Sequence, residues 1–119
     1  MELQIDTTRL GNRTVLTPRG VIDLATIKAF RKALDEVFIS GPVELVLDLN
    51  AVTFIDSTGL GALISARRRA HAFKGSLLLA CDIDVVLRVL RITGLDRVFE
   101  IVPSLDSAGS GDASVVAAP

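Results

Sequence analysis

Apolar residues fall at alternate positions in two short stretches near the start of the chain, LQIDTT at 3–8 and TVLTPRG at 14–20. Between them RLGNR supplies a Gly-Asn pair suited to a tight turn, and the pattern predicts an opening β-hairpin. The period then changes. Ile27, Phe30, Leu34, Val37 and Phe38 recur at helical spacing, with Asp23 in an N-cap position and Ile22 and Ile27 spaced as a hydrophobic staple. That helix should stop at the SGP that carries Gly41 and Pro42. VELVLDL at 43–49 is apolar at five of its seven positions, the pattern of a strand covered on both faces. A second helix follows FIDSTGLG: Leu60, Leu63 and Ile64 face inward, Ala66 and Ala70 permit close packing, and Lys74-Gly75 ends it. SLLLAC at 76–81 reads as another buried strand. DIDVVLRVLRITG at 82–94 reads as a third helix, acidic at its start, with arginines late and Gly94 as its stop. VFEI at 98–101 makes a last short strand before Pro103.

Strands alternating with helices imply a mostly parallel sheet with right-handed crossovers, and the hairpin makes that sheet mixed. The expected fold is α/β: one domain over residues 1–106, with four to five strands and three to four helices packed on them. From Ser107 the sequence SAGSGDASVVAAP is small and polar without a period, so 107–119 is expected to be a disordered tail. In sheets of this kind partners and ligands meet the carboxyl ends of the strands, where loops lead into helix N-termini. FIDSTGLG lies at such a junction.

Composition narrows the chemistry. A chain of 119 residues is long enough to bury a core without a disulfide or metal staple. Its five aromatic residues are all Phe, so the core must be largely aliphatic. Thirteen basic and fourteen acidic residues leave a net charge of −1, with no basic face for a phosphate backbone, and nucleic acid is not expected as a partner. MELQIDTT lacks the apolar core of a leader, and no uncharged apolar run approaches the roughly 18 residues of a span. No membrane association is expected, and a cytoplasmic location is. The single cysteine, Cys81, reads as a buried thiol.

Enzyme signatures are weak or missing. GLGALI opens like a dinucleotide loop, but Ile64 occupies the third glycine position and no acid ends SLLLAC. There is no phosphate-cradling GxxxxGK[ST] motif. Ser57 has Ile55 and Gly59 where a nucleophile elbow needs glycines. The one histidine, His71, falls well along the second helix, too remote to serve Ser57 as a base. One His and one Cys make no metal cluster, and neither cofactor nor metal is expected. Arg67, Arg68 and Arg69 read as a solvated face that complements the helix dipole.

At the junction itself two accounts of the residues stand side by side. In one, Asp56 or Ser57 caps the second helix, and Gly59 and Gly61 serve packing. In the other, Ser57 is exposed at a helix N-terminus and can carry a phosphate, Thr58 offers a second hydroxyl, Gly59 lets another backbone approach and Gly61 keeps the first turn slim.

LVLDLNAVTFIDSTGLGALISARRRA at 45–70 resembles the signature of the STAS domain, and in particular of bacterial anti-sigma factor antagonists. GVIDLATIKAFRKAL at 20–34, with Gly20 and Asp23, resembles the family's entry into its first helix, and residues 75–108 its C-terminal half. The resemblance implies that Ser57 is phosphorylated by a partner serine kinase that doubles as the anti-sigma factor. The unphosphorylated chain would bind that partner and release sigma, and a PP2C-type phosphatase would restore binding. Asp23, Asp56, Ser57, Thr58, Gly59, Leu60 and Gly61 would form the docking face, with Thr58 a second candidate for modification. The chain would catalyse nothing and would be a monomer or weak dimer. Two other assignments remain at this point: a STAS subunit of a lipid-transport or stressosome-like complex, and a nucleotide-binding module using the Asp56–Gly61 loop.

Overall fold

A computed structural model describes residues 2–39 and 41–106. The tail expected from residue 107 lies outside the described residues. The hairpin forms as the alternation predicts, with β1 (Leu3–Leu10) antiparallel to β2 (Arg13–Ile22) and a two-residue Gly11-Asn12 turn between them. Helix α1 (Ile27–Phe38) follows, then β3 (Glu44–Asp48), β4 (Val52–Ile55), helix α2 (Ser57–Ala72), β5 (Ser76–Ala80), helix α3 (Asp84–Ile92), a 3₁₀ turn at Leu95–Arg97 and β6 (Glu100–Val102). The sheet runs β1-β2-β3-β5-β6, with β4 also paired to β2, and only the β1–β2 pairing is antiparallel.

The strand β4 is an element that the sequence pattern did not separate, and it extends the sheet toward the junction. Thr14–Leu16 of β2 pair with Leu45–Leu47 of β3, while Gly20–Ile22 pair with Val52–Ile55 of β4. The chain therefore keeps its direction along β2 and only kinks between the two strands. The kink is closed by Val52 N–H to Leu49 O at 3.0 Å and Asn50 N–H to Asp48 Oδ1 at 3.1 Å. Four residues with two exposed in the middle carry too little period to announce a strand.

Side chains alternate across the sheet. Leu16, Leu45, Leu47, Leu77 and Leu79 meet Phe30, Leu34, Phe38, Leu63, Ala66, Val86 and Leu90 in the main core. Val15, Val46 and Ala80 make a smaller cluster on the other side with Leu10, Leu78, Val102 and Leu105. Most of the large buried side chains are Leu, Ile and Val, as the composition requires, and three phenylalanines, Phe30, Phe38 and Phe99, join them. Cys81 is buried at the end of β5, and loss of hydration pushes its thiol pKa up.

Two local expectations need correction. Asp23 is not the N-cap of α1: that position belongs to Thr26, whose side chain makes no capping bond to the helix. Ile64 is only half-buried, whereas Leu63 is completely enclosed. α2 is closed at Lys74-Gly75 as expected, with Lys74 in the left-handed conformation at φ +64°. Gly75 N–H reaches Ala70 O at 2.7 Å and Lys74 N–H reaches His71 O at 3.1 Å, the paired bonds of a Schellman ending. Glycine is needed one residue later, because a Cβ on Gly75 would run into the Val43 backbone.

Candidate functional site

Strands β2 and β4 finish side by side, Ile22 opposite Ile55, and Asp56 N–H donates to Ile22 O at 3.1 Å. The two exits, Asp23-Leu24 and Asp56-Ser57, therefore leave the sheet next to each other at its carboxyl edge. Asp56 is the N-cap of α2 in extended backbone. Its Oδ1 accepts from Thr58 N–H at 2.9 Å, Gly59 N–H at 3.1 Å and the Thr58 hydroxyl at 2.6 Å. The bond from the Thr58 hydroxyl does most to hold the Asp56 pKa below its ordinary value; partial loss of hydration opposes it, and the Gly59, Thr58 and Leu24 N–H groups add to the lowering. The cap is an ionised carboxylate at neutral pH.

Ser57 is the first residue of α2 and is exposed, and its hydroxyl has no hydrogen-bond partner among the described residues. Thr58, one residue on, is half-buried and gives its hydroxyl to Asp56. Asp56 thus orients the hydroxyl of Thr58 and leaves that of Ser57 open. Adjacent hydroxyls have opposite environments.

The two glycines of the turn divide between the two accounts, Gly59 serving packing and Gly61 leaving the surface open. Gly59 is buried, and a Cβ there would lie 2.6 Å from Ile55 Cγ1 and 2.8 Å from Ile22 Cγ2. It brings α2 down onto the ends of β2 and β4 and offers no face to a partner. Leu60 is likewise turned into the core, at 7% exposure. Leu60 faces inward as its helical spacing predicted, and neither residue lies on the exposed docking face that the resemblance implied for it. Gly61 is the open one, with nothing within 4 Å of a Cβ built on it. It stands four residues after Ser57, on the same side of the helix, so the surface beside the serine is bare.

Across from Ser57 the Asp23 carboxylate closes a turn ahead of α1. Its Oδ1 accepts from Ala25 N–H at 3.0 Å and Thr26 N–H at 3.2 Å, while the buried Thr26 hydroxyl accepts from Asp23 N–H at 3.0 Å and donates to Val21 O at 2.8 Å. This closed turn presents Leu24, which is 75% exposed. Sequence reasoning did not single out Leu24, because with Asp23 as the N-cap the residue would have been the first of the helix. The helix begins later, and the side chain falls outside it.

The remaining candidates lie elsewhere. Arg69 pairs with Asp35 and its guanidinium sits 4.8 Å from the centre of the Phe38 ring, a contact between α2 and α1. Arg68 and His71 are exposed on α2. Among the described residues no group of three or more His, Cys, Asp or Glu is placed to hold a metal, and no helix is long and apolar enough to cross a membrane.

Comparison with known proteins places this geometry among relatives. The family description for the STAS domain matches residues 4–108. The anti-sigma-F factor antagonist RsfB of Mycobacterium tuberculosis is 34% identical over 97 residues, covering 82% of this chain and 79% of that protein. The anti-sigma-B factor antagonist of Listeria monocytogenes is 33% identical over 82 residues, covering 69% of this chain and 72% of that protein. Among solved structures, that of an anti-sigma factor antagonist from Mycobacterium paratuberculosis superimposes with a TM-score of 0.85 at 28% identity, covering 92% of this chain and 93% of the other.

Proposed function

The chain belongs to the STAS-domain family, and from that premise we propose that it is an anti-sigma factor antagonist switched by phosphorylation of Ser57. The unphosphorylated chain binds an anti-sigma factor that is also a serine kinase, on a surface incompatible with sigma being held, and sigma is released. Phosphate transfer to Ser57 ends that binding, and a PP2C-type phosphatase restores it. The chain acts by occupancy and catalyses nothing. The names of its relatives support the antagonist role. The observation that carries the switch is the open hydroxyl of Ser57, at the first position of α2 and beside a carboxylate that has already claimed the neighbouring hydroxyl.

A phosphate there adds about −1.5 to −2 charge. The Thr58 and Gly59 N–H groups point at Asp56 Oδ1 and are not free to neutralise it. The helix dipole tolerates the charge in water, so the fold stays as it is. Desolvating the same charge against a partner, next to the ionised Asp56, is unfavourable, and binding is lost without refolding. Thr58 is the poorer acceptor, since its hydroxyl must first leave Asp56. Asp23 contributes by holding its turn, and Gly61 by leaving room beside the serine.

Calorimetric titration of the purified anti-sigma factor kinase from the chain's own genome tests the reading. Phosphorylated chain and Ser57→Asp should bind about 5- to 150-fold more weakly than the unphosphorylated chain, and Ser57→Ala should bind and resist the kinase. Phosphate should map to Ser57 and persist in Thr58→Ala. Equal affinity of the two phosphorylation states would refute the switch.

A further inference from the structure

Single exposed apolar side chains are common on protein surfaces and need no explanation by themselves. Ile39 and Ile92 are such cases, at 84% and 77% exposure: Ile39 follows the last residue of α1, and Ile92 ends α3. Leu24 differs in how it is held and in what lies beside it. Its turn is fixed by the Asp23 carboxylate, by the Thr26 hydroxyl buried beneath it and by the Thr26 bond to Val21 O. Ala25, also exposed, adds no bulk. A turn bonded at both ends thus presents one large apolar side chain to water. The parallel register then sets its position: with Ile22 opposite Ile55, Leu24 leaves β2 alongside Ser57 leaving β4.

We propose that Leu24 is the apolar anchor of the docking face centred on Ser57, seated in an apolar pocket of the anti-sigma factor, and that phosphate on Ser57 acts by keeping that pocket from closing over it. The inference rests on the antagonist reading and names the contact that the switch controls. An anchor whose backbone is already fixed loses little conformational freedom on binding, which favours it as a binding hot spot. The pocket that takes it must exclude water from Leu24 and, because the exits adjoin, from Ser57. A hydroxyl can be enclosed there at small cost. A dianionic phosphate holds its water, and the partner's wall cannot reach the leucine while it does. Leu24 and the phosphate are therefore coupled: each matters only in the state of the other that permits closure.

The test is a two-by-two titration of the full chain against the purified anti-sigma factor kinase, with and without the Leu24→Ala substitution in the Ser57 and the Ser57→Asp backgrounds. Leu24→Ala should weaken binding about 10- to 100-fold in the Ser57 background, with an unchanged thermal midpoint, and less than about 3-fold in the Ser57→Asp background. Ile92→Ala, which truncates an equally exposed side chain at the end of α3, should bind within about 2-fold of the unaltered chain. If Leu24→Ala binds as the unaltered chain does while Ser57→Asp does not, the anchor is overturned and the switch stands. Equal loss in both backgrounds overturns the coupling. Absence of binding by the unaltered chain overturns the antagonist reading itself.

Discussion

Strands β2 and β4 leave the sheet side by side and each hands the chain to a helix through an aspartate, yet the two exits are built differently. At Asp56 the carboxylate caps the helix directly, α2 begins at the next residue, and Gly59 locks the first turn onto Ile22 and Ile55. At Asp23 the carboxylate closes a turn of its own, and α1 begins only at Ile27. The short exit puts a polar residue, Ser57, at the first helical position with its hydroxyl free. The long exit leaves room for a projecting loop and puts Leu24 on it. An aspartate that accepts two successive N–H groups is therefore not proof of a helix start, and the spacing it closes determines whether the residue displayed is a modifiable hydroxyl or an apolar contact.

The largest effect should come from filling the short exit. Gly59→Val places a Cβ and two further carbons where Ile55 and Ile22 already stand, and overpacking of this kind costs about 3 kcal/mol. Ala25→Val, which adds the same two outer carbons at an exposed position of the long exit, should change stability by no more than about 0.5 kcal/mol. Urea unfolding of both variants checks the contrast. A Gly59→Val protein as stable as the unaltered chain would show that α2 can lift from the sheet, and the two exits would then be equally loose.

A smaller effect is expected from unfastening the long exit. Thr26→Val keeps the volume but removes the hydroxyl that accepts from Asp23 N–H and donates to Val21 O, leaving two polar groups without these partners at a cost of about 1 to 2 kcal/mol. If the turn exists to hold Leu24 in place, binding to the anti-sigma factor should fall in Thr26→Val at temperatures where the domain is still fully folded. A variant that loses stability and keeps its affinity would separate the turn from the docking face.

The comparison also shows which features could be read in the sequence. The hairpin, the three helices and the buried strands at 44–48 and 76–80 follow from long runs of clear period, and Ser57 at a strand-to-helix junction follows from them. What escaped was decided by contacts distant in sequence. The strand Val52–Ile55 owes its existence to the second half of β2 and has almost no period of its own. Gly59 and Gly61 are alike in sequence, and only the packing of α2 on Ile22 and Ile55 tells the buried one from the open one. Lys74 takes the left-handed position, and Gly75 after it makes room for Val43. Leu24 stands out only once α1 is seen to begin at Ile27, four residues after Asp23.

The finest effect at the short exit is electrostatic and appears in acid. Because the Asp56 pKa is lowered in the folded chain, chiefly by the Thr58 hydroxyl, the folded state favours its ionised form. The stabilisation is therefore complete above the ordinary aspartate value near about 3.9, and it is lost as pH falls through the lower folded value. The effect is isolated by difference against a variant that lacks the charge. Asp56→Asn suits this purpose, since asparagine caps helices about as well as aspartate but carries no charge to place at the helix N-terminus. At about pH 6 the unaltered chain should melt above Asp56→Asn, and the gap should close as the pH falls through the lowered folded-state value and Asp56 is protonated too. A gap that stays constant across that range would mean that Asp56 serves α2 only through the shape of its hydrogen bonds. Asp56 would still be ionised at neutral pH, so that outcome bears on how α2 is capped and leaves the charge beside Ser57 in place.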